Sequence, residues 1–206
     1  SVADSRSIDK VISILKSNDE PLFIVVSALS GITNLLQKCL NKNGESASDI
    51  ITEIEQRHLQ VITDMCDYNN QTLLKNFLRD NLNELDDLLN LISETGEVSN
   101  EKKSKVLTLG EILSSNIIYE ILRQKGLDIS HIDSRELIFT KDSNSNIQLD
   151  DEKTSDSIDK IVGSIKSKLI ISPGYICSNQ EGKTSNLGRG GSDYSAAIYA
   201  KYLNAK

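Results

Sequence analysis

LFIVVSALSGITNLL, residues 22–36, decides the fold. After Pro21 comes an unbroken apolar run, LFIVVS (22–27), rich in β-branched residues and too short for a helix, which suits a strand covered on both faces of a parallel sheet. It stops at Ser27. Residues 28–34 (ALSGITN) read as a small-residue turn, and Leu35, Leu36, Cys39 and Leu40 then resume at helical spacing. Ligands of open α/β sheets bind at such strand-to-helix turns. Working outward, KLIIS (168–172) repeats the buried-strand pattern and runs into Pro173-Gly174. Toward the N-terminus, Ile8, Val11, Ile12 and Leu15 share one face of a helix over Ser5–Lys16, with Asp4 as its cap.

Between the two strand patterns the period is helical. Residues 46–95 carry Ile51, Ile54, Val61, Ile62 and Met65, then Leu74, Phe77, Leu78, Leu82, Leu85, Leu88, Leu89 and Ile92. They predict a long helical pair whose apolar stripes are core and whose Glu53, Arg57, Asp86 and Asp87 form a solvated face. A further helix is expected from Lys102 to Lys125, closed by Gly126, with Glu111 interrupting its apolar surroundings beside Gly110. Residues 141–157 are polar and turn-rich and read as a surface hairpin or loop. A helix over 154–167 should lead into the second strand, 175–186 should form a hairpin or irregular loop, and a last helix should run from Ser192 to Leu203. No internal repeat or low-complexity tract is present.

The chain has 206 residues, with 23 Lys and Arg against 30 Asp and Glu and a net charge of −7. That length fits one α/β domain with an insertion or two small domains. The basic residues are scattered among acids, which argues against nucleic-acid or anionic-membrane partners and for a small-molecule ligand. Cys39, Cys66 and Cys177 are odd in number and widely spaced, and with two histidines, His58 and His131, they form no zinc-type pattern, so no metal site is expected from spacing. Reduced thiols, the lack of a membrane-length apolar run and the lack of a signal segment set the expectation of a cytoplasmic protein.

The stretch with the clearest chemistry is LGRGGSDYSAA (187–197). Gly188, Gly190 and Gly191 allow positive φ and close approach of a ligand to the backbone, and the following helix offers unpaired N–H groups at the positive end of its dipole. Arg189 adds a fork for a carboxylate or phosphate. Taken alone, such a turn is more often a plain loop-to-helix junction.

Three segments in order change that balance. VVSALSGITNLL (25–36), TLGEILSS (108–115) and SPGYICSNQEGKTSNLGRGGSDYSAA (172–197) together resemble the aspartokinases, enzymes that phosphorylate the side-chain carboxylate of L-aspartate with ATP. The likeness extends over essentially the whole chain, residues of about 46–100 corresponding to that family's helical insertion. It implies a three-layer αβα amino-acid-kinase fold with a mostly parallel sheet, an acceptor lobe first and a nucleotide lobe after it. By resemblance, Ser27 and Thr33 hydrogen-bond aspartate, Glu111 pairs with its α-ammonium group, and Arg189 holds its α-carboxylate. Ser192 and Asp193 lie between acceptor and phosphate, Asp193 in a catalytic role, with Gly188, Gly190 and Gly191 as the phosphate loop. These residue types suit the chemistry. An amino dicarboxylate needs an anion for its amine, a fork for its α-carboxylate and neutral donors near the attacking oxygen. Each also has a plainer reading: Ser27 a strand end, Thr33 or Asp193 a helix cap, Glu111 a surface residue. Cys177 stands where the family usually has Gly, and Ser185-Asn186 where it has Thr-Thr.

Against the family pattern, Ser1-Val2-Ala3 matches the end of an opening segment whose strand carries Lys-Phe-Gly-Gly, and no lysine here can be assigned that strand's role. By the same pattern, the strand, Asp-rich turn and helices of a nucleotide lobe would be expected after Lys206. The expectation is therefore residues 1–206 as the aspartate-binding lobe of a kinase whose cofactors are ATP and Mg²⁺, with efficient catalysis not expected of these residues alone. Unpaired sheet edges favour pairing with another copy, a homo-oligomer, or with a complementing segment. A kinase for a glutamate-type acceptor and a non-catalytic amino-acid-binding module are the alternatives.

Overall fold

The computed structural model describes residues 4–41, 46–141 and 147–205. In chain order the helices are α1 (Ser5–Ser17), α2 (Ile32–Asn41), α3 (Ala47–Met65), α4 (Tyr68–Thr95), α5 (Asn100–Gln124), α6 (Asp151–Val162) and α7 (Gly191–Tyr202). The strands are β1 (Leu22–Val26), β2 (Ile129–His131), β3 (Thr140–Lys141), β4 (Gln148–Leu149), β5 (Leu169–Pro173), β6 (Ile176–Ser178) and β7 (Thr184–Asn186).

The two apolar runs become neighbours. β1 pairs in parallel with β5, Leu22 opposite Leu169 through Val26 opposite Pro173, and β2 pairs with the other side of β5, giving the order β1-β5-β2. Alternation along β5 divides the molecule in two. Leu169 and Ile171 point into a core shared with α1 to α5, and Ile170 points into a second core with Ile158 of α6 and Ile198 and Tyr199 of α7. Helices therefore cover both faces, which is the three-layer α/β arrangement expected from continuous rather than alternating apolar strands. β3 pairs antiparallel with β4, and β6 with β7.

α5 is buried along most of its length because the sheet lies on one side and α2, α3 and α4 on the other. α3 and α4 form the expected helical pair, with Asp67 capping α4 by accepting the Asn70 N–H. Asp4 caps α1 in the same way, accepting the Ser7 N–H at 2.9 Å.

Several boundaries differ from the sequence reading. α2 begins at Ile32, so Thr33 lies in its first turn rather than in the preceding loop: Gly31 takes φ 82° and turns the chain directly into the helix. α6 starts at Asp151 and ends at Val162, earlier at both ends than 154–167, because Asp150 caps it by accepting the Lys153 N–H. The polar stretch 141–157 thus contains β4 and the first turns of α6, while residues 142–146 lie outside the described residues, as do Ser1-Val2-Ala3. β2 and a turn of 3-10 helix at Ser134–Glu136 had no counterpart in the sequence reading. Three residues of strand are too few to show a period.

Candidate functional site

The C-terminal ends of β1 and β5 lie side by side; the chain leaves β1 toward α2, and leaves β5 into the β6–β7 hairpin that leads to α7. Between them and the start of α5 opens a cleft of about 1190 Å³. Ser27, Thr33, Glu111, Gly188, Arg189, Gly190, Gly191, Ser192 and Asp193 all line it, so residues spread over more than 160 positions of sequence share one concavity. Tyr175, Ser104, Ser185 and Asn186, not singled out as ligand contacts from sequence, line it too.

Each wall has a local cause. The turn after β1 is held to α5 by Ser114, whose hydroxyl donates to the Ser27 carbonyl at 2.8 Å. Gly110 makes the approach possible, since a Cβ there would come within 2.8 Å of the Ala28 side chain. From the opposite side Arg57 of α3 donates to the Ser30 carbonyl at 3.1 Å while pairing with Glu53 at 2.6 Å. Arg57 is therefore half solvated and half a brace for the turn, rather than simply part of a solvated face. A fold pattern shows which face of α3 is polar and not how far a long side chain reaches.

The glycine turn is fixed by the β6–β7 hairpin. Asn186 accepts the Gly188 N–H at 3.0 Å and donates to Ser104 of α5 at 2.9 Å, so the Asn of Ser185-Asn186 ties the turn to the cleft wall. Gly188 and Gly190 take φ 73° and 72°, as expected of a turn approaching a ligand. Gly191 does not: it is the first residue of α7, and its role is space, because a Cβ there would lie 2.5 Å from the Tyr175 ring. Gly190 occupies the cap position of α7 with no side-chain cap; the Gly191 N–H donates to the Gly188 carbonyl at 3.0 Å, and the next two residues, Ser192 and Asp193, line the cleft. Asp193 is not the cap. Beneath, the Ser134 hydroxyl donates to the Pro173 carbonyl and accepts from the Tyr199 hydroxyl at 3.1 Å, fastening α7 to β5. Cys177 is buried in β6, its Sγ 3.9 Å from the Thr140 hydroxyl, and does not line the cleft.

Electrostatically the cleft is unfinished. Glu111 is 4% exposed, so it is no surface residue, and its Oε2 has no hydrogen-bond partner among the described residues. Burial pushes its pKa up to about 7, partly opposed by hydrogen bonding from the Ala28 N–H. Arg189 is exposed and makes no hydrogen bond or ion pair with any described residue, and the same holds for the carboxylate of Asp193. A buried carboxyl with one oxygen short of a partner and a free guanidinium in one cleft have the charges that would complement a zwitterionic group, cationic at one end and a carboxylate at the other.

The family model described as "Amino acid kinase family" matches residues 1–206. The chain belongs to the amino acid kinase family. Among curated relatives of this amino acid kinase chain, the lysine-sensitive aspartokinase 3 of Escherichia coli (strain K12) is 27% identical, covering 100% of this chain and 45% of the relative. The aspartokinase of Chlamydia pneumoniae is 27% identical over 100% of this chain and 43% of its own length. The chloroplastic bifunctional aspartokinase/homoserine dehydrogenase 2 of Arabidopsis thaliana is 27% identical over 100% of this chain and 23% of the relative. The chain thus spans less than half the length of these proteins. Among solved structures, E. coli aspartokinase III in complex with lysine and aspartate (T-state) superposes with a TM-score of 0.88 at 25% identity, covering 98% of this chain and 45% of that one. The complex of the same enzyme with aspartate and ADP (R-state) gives 0.86 at 24% identity over the same shares. The amino-acid-kinase fold expected from the three sequence segments is the fold observed. No helix of the described residues is long and apolar enough to cross a membrane.

Proposed function

We propose that this chain is the acceptor-binding part of an aspartate kinase, which transfers the γ-phosphoryl group of ATP to the side-chain carboxylate of L-aspartate and forms 4-phospho-L-aspartate, the entry to lysine, threonine and methionine synthesis. The observation that carries the reading is the presence, in one cleft, of a buried carboxyl with one oxygen lacking a partner and of an unpaired guanidinium. The aspartate in both E. coli aspartokinase III complexes supports it.

In this reading Glu111 accepts from the α-ammonium group of aspartate, which returns a charge partner to a carboxylate that burial disfavours. Arg189 grips the α-carboxylate through two N–H groups. Ser27 and Thr33, at the turn braced by Ser114 and Arg57, donate to the substrate without neutralising the attacking oxygen. The side-chain carboxylate is thereby aimed at the head of α7, where the N–H groups of the glycine turn face developing phosphoryl charge and the Ser192 hydroxyl stands beside them. Asp193, exposed in the first turn of α7, orients the reacting groups. Its hard oxygen donors suit Mg²⁺ held with nucleotide phosphates. Mg·ATP supplies the phosphoryl group and screens its repulsion from the acceptor. The ADP in the E. coli R-state complex supports that nucleotide. The whole reaction is assigned to the longer protein, with residues 1–206 as its acceptor lobe and about 46–100 as a helical insertion. A homo-oligomer and a cytoplasmic location belong to the same reading.

Calorimetric titration of L-aspartate, with L-glutamate for comparison, into the folded chain tests it. Selective aspartate binding that Arg189→Ala weakens supports the reading. A folded chain that prefers glutamate overturns it.

A further inference from the structure

Tyr175 lies between β5 and β6, one residue past Gly174, and takes φ 67°, a left-handed conformation in which, among the described residues, Asn204 is the one other residue that is not glycine. Asn tolerates that region and a bulky aromatic rarely does, so the conformation costs energy that the surroundings must offset. They hold it from both sides. The Tyr175 N–H donates to the Ser195 hydroxyl of α7 at 3.0 Å, and its carbonyl accepts from the Leu187 N–H at 2.8 Å. The ring cannot retreat, because it packs where a Cβ on Gly191 would lie 2.5 Å from its Cδ2. It lines the cleft together with Glu111 and Ser192. The Glu111 charge contributes, after burial, to pushing the Tyr175 hydroxyl up to about 12, which sets the ring near that carboxyl as well as against the head of α7. A glycine would relieve the backbone at this position. The chain instead holds a ring against the head of α7, in the cleft wall that Glu111 shares.

We infer that the Tyr175 ring gauges acceptor length, admitting a four-carbon amino dicarboxylate and rejecting its five-carbon homologue. The inference rests on the aspartate reading above. With the ammonium group fixed at Glu111 and the phosphoryl end fixed at α7, one extra methylene has to be taken up by the wall between them, and a wall fixed at backbone and ring cannot move. Such a difference of one methylene is worth about 10–200-fold in discrimination.

The test is calorimetry of L-aspartate and L-glutamate with the wild-type chain and with Tyr175→Leu, Tyr175→Gly and Tyr175→Phe, each checked for folding by circular dichroism. The expected result is a wild-type preference for aspartate that falls by about tenfold or more in the Leu and Gly variants, chiefly through tighter glutamate binding. Tyr175→Phe, which returns the ring without its hydroxyl, should restore the preference. Should the Gly variant not fold, Tyr175→Leu decides, since it keeps apolar contact with Gly191. Folded Leu or Gly variants with an unchanged preference overturn the length gauge and leave the aspartate reading standing. A wild-type chain without aspartate preference removes both.

Discussion

The α3–α4 pair and the cleft both rest on α5, yet they treat polar groups in opposite ways. In the helical pair the leucines of α4 at 74, 78, 82, 85 and 89 are buried, and the charged residues point outward. Its buried exception is His58 of α3, 0% exposed, whose Nδ1 lies 2.7 Å from the Ile54 carbonyl. A carbonyl only accepts, so Nδ1 carries the proton and Nε2 is left without a partner. In the cleft, unpartnered polarity is the rule: Glu111 is buried and short of a partner, and Arg189 and Asp193 are free of one among the described residues. The helical pair keeps one such atom, His58 Nε2, deep in its core, whereas the cleft gathers a buried carboxyl, a guanidinium and a second carboxylate at one opening. Stability and binding should therefore separate by mutation.

The largest separation is expected from Leu78→Ala. Leu78 is fully buried in the core of the helical pair, and truncation should cost about 2–5 kcal/mol of stability in a denaturant titration. Aspartate affinity, measured where the variant remains folded, should change little. A matching loss of affinity would mean that the two regions are one cooperative unit in binding.

The two buried titratable groups sharpen the contrast through pH. Glu111, raised to about 7, stabilises the fold fully below its unfolded pKa near 4.5, and that contribution is lost as pH rises through 7. His58, lowered to about 4 mainly by burial, does the reverse: its contribution is present above about 6.5 and is lost as pH falls toward 4. Each amounts to about 3 kcal/mol, so in the wild type they largely cancel between these limits. Glu111→Gln should leave a stability that rises with pH between about 4 and 6.5, and His58→Leu one that falls between about 4.5 and 7. Thermal melts over that range check both signs. Binding should also report Glu111: an ammonium group favours its ionised form, so aspartate affinity should rise with pH up to about 7, with proton release in calorimetry that Glu111→Gln abolishes.

Arg189→Ala should weaken aspartate binding by about 1.5–3 kcal/mol, the worth of a charge-assisted, bidentate contact, with the melting temperature unchanged because Arg189 has no partner among the described residues to lose. The smallest effect is expected at Arg57, which touches both regions. Arg57→Ala removes the 3.1 Å bond to the Ser30 carbonyl and should loosen the turn carrying Ser27 and Thr33, costing about 0.5–1.5 kcal/mol in aspartate affinity. Arg57→Lys should recover part of it. An effect on stability alone would assign Arg57 to the helical pair.

Much of this was legible in the chain itself. Residues 22–27 and 168–172 announced strands through their unbroken apolar runs, of which β5 is buried throughout while β1, at the edge of the described sheet, is half-buried over Leu22–Val25; the stripe from Leu74 to Ile92 announced a helix because burial there has one face. The residues that the resemblance to the aspartokinases picked out line one cleft, while Tyr175 and Ser104, which line it too, were not singled out. Less visible were β2, α2's start at Ile32 and the true part played by Gly191, since short strands carry no period and a glycine needed for space looks like one needed for φ.

Local sequence determined the order and type of the main elements, the glycine turn before α7 and the residue types of the cleft, because periodicity, caps and turn chemistry act over a few residues. Only the tertiary structure decided that Glu111 is buried with one oxygen lacking a partner, that Arg189 lines the same cleft, that Asn186 ties hairpin to helix and that Tyr175 is held at φ 67°. Each of those properties depends on desolvation or contact between segments far apart in sequence, and such quantities take their values from packing rather than from neighbours along the chain.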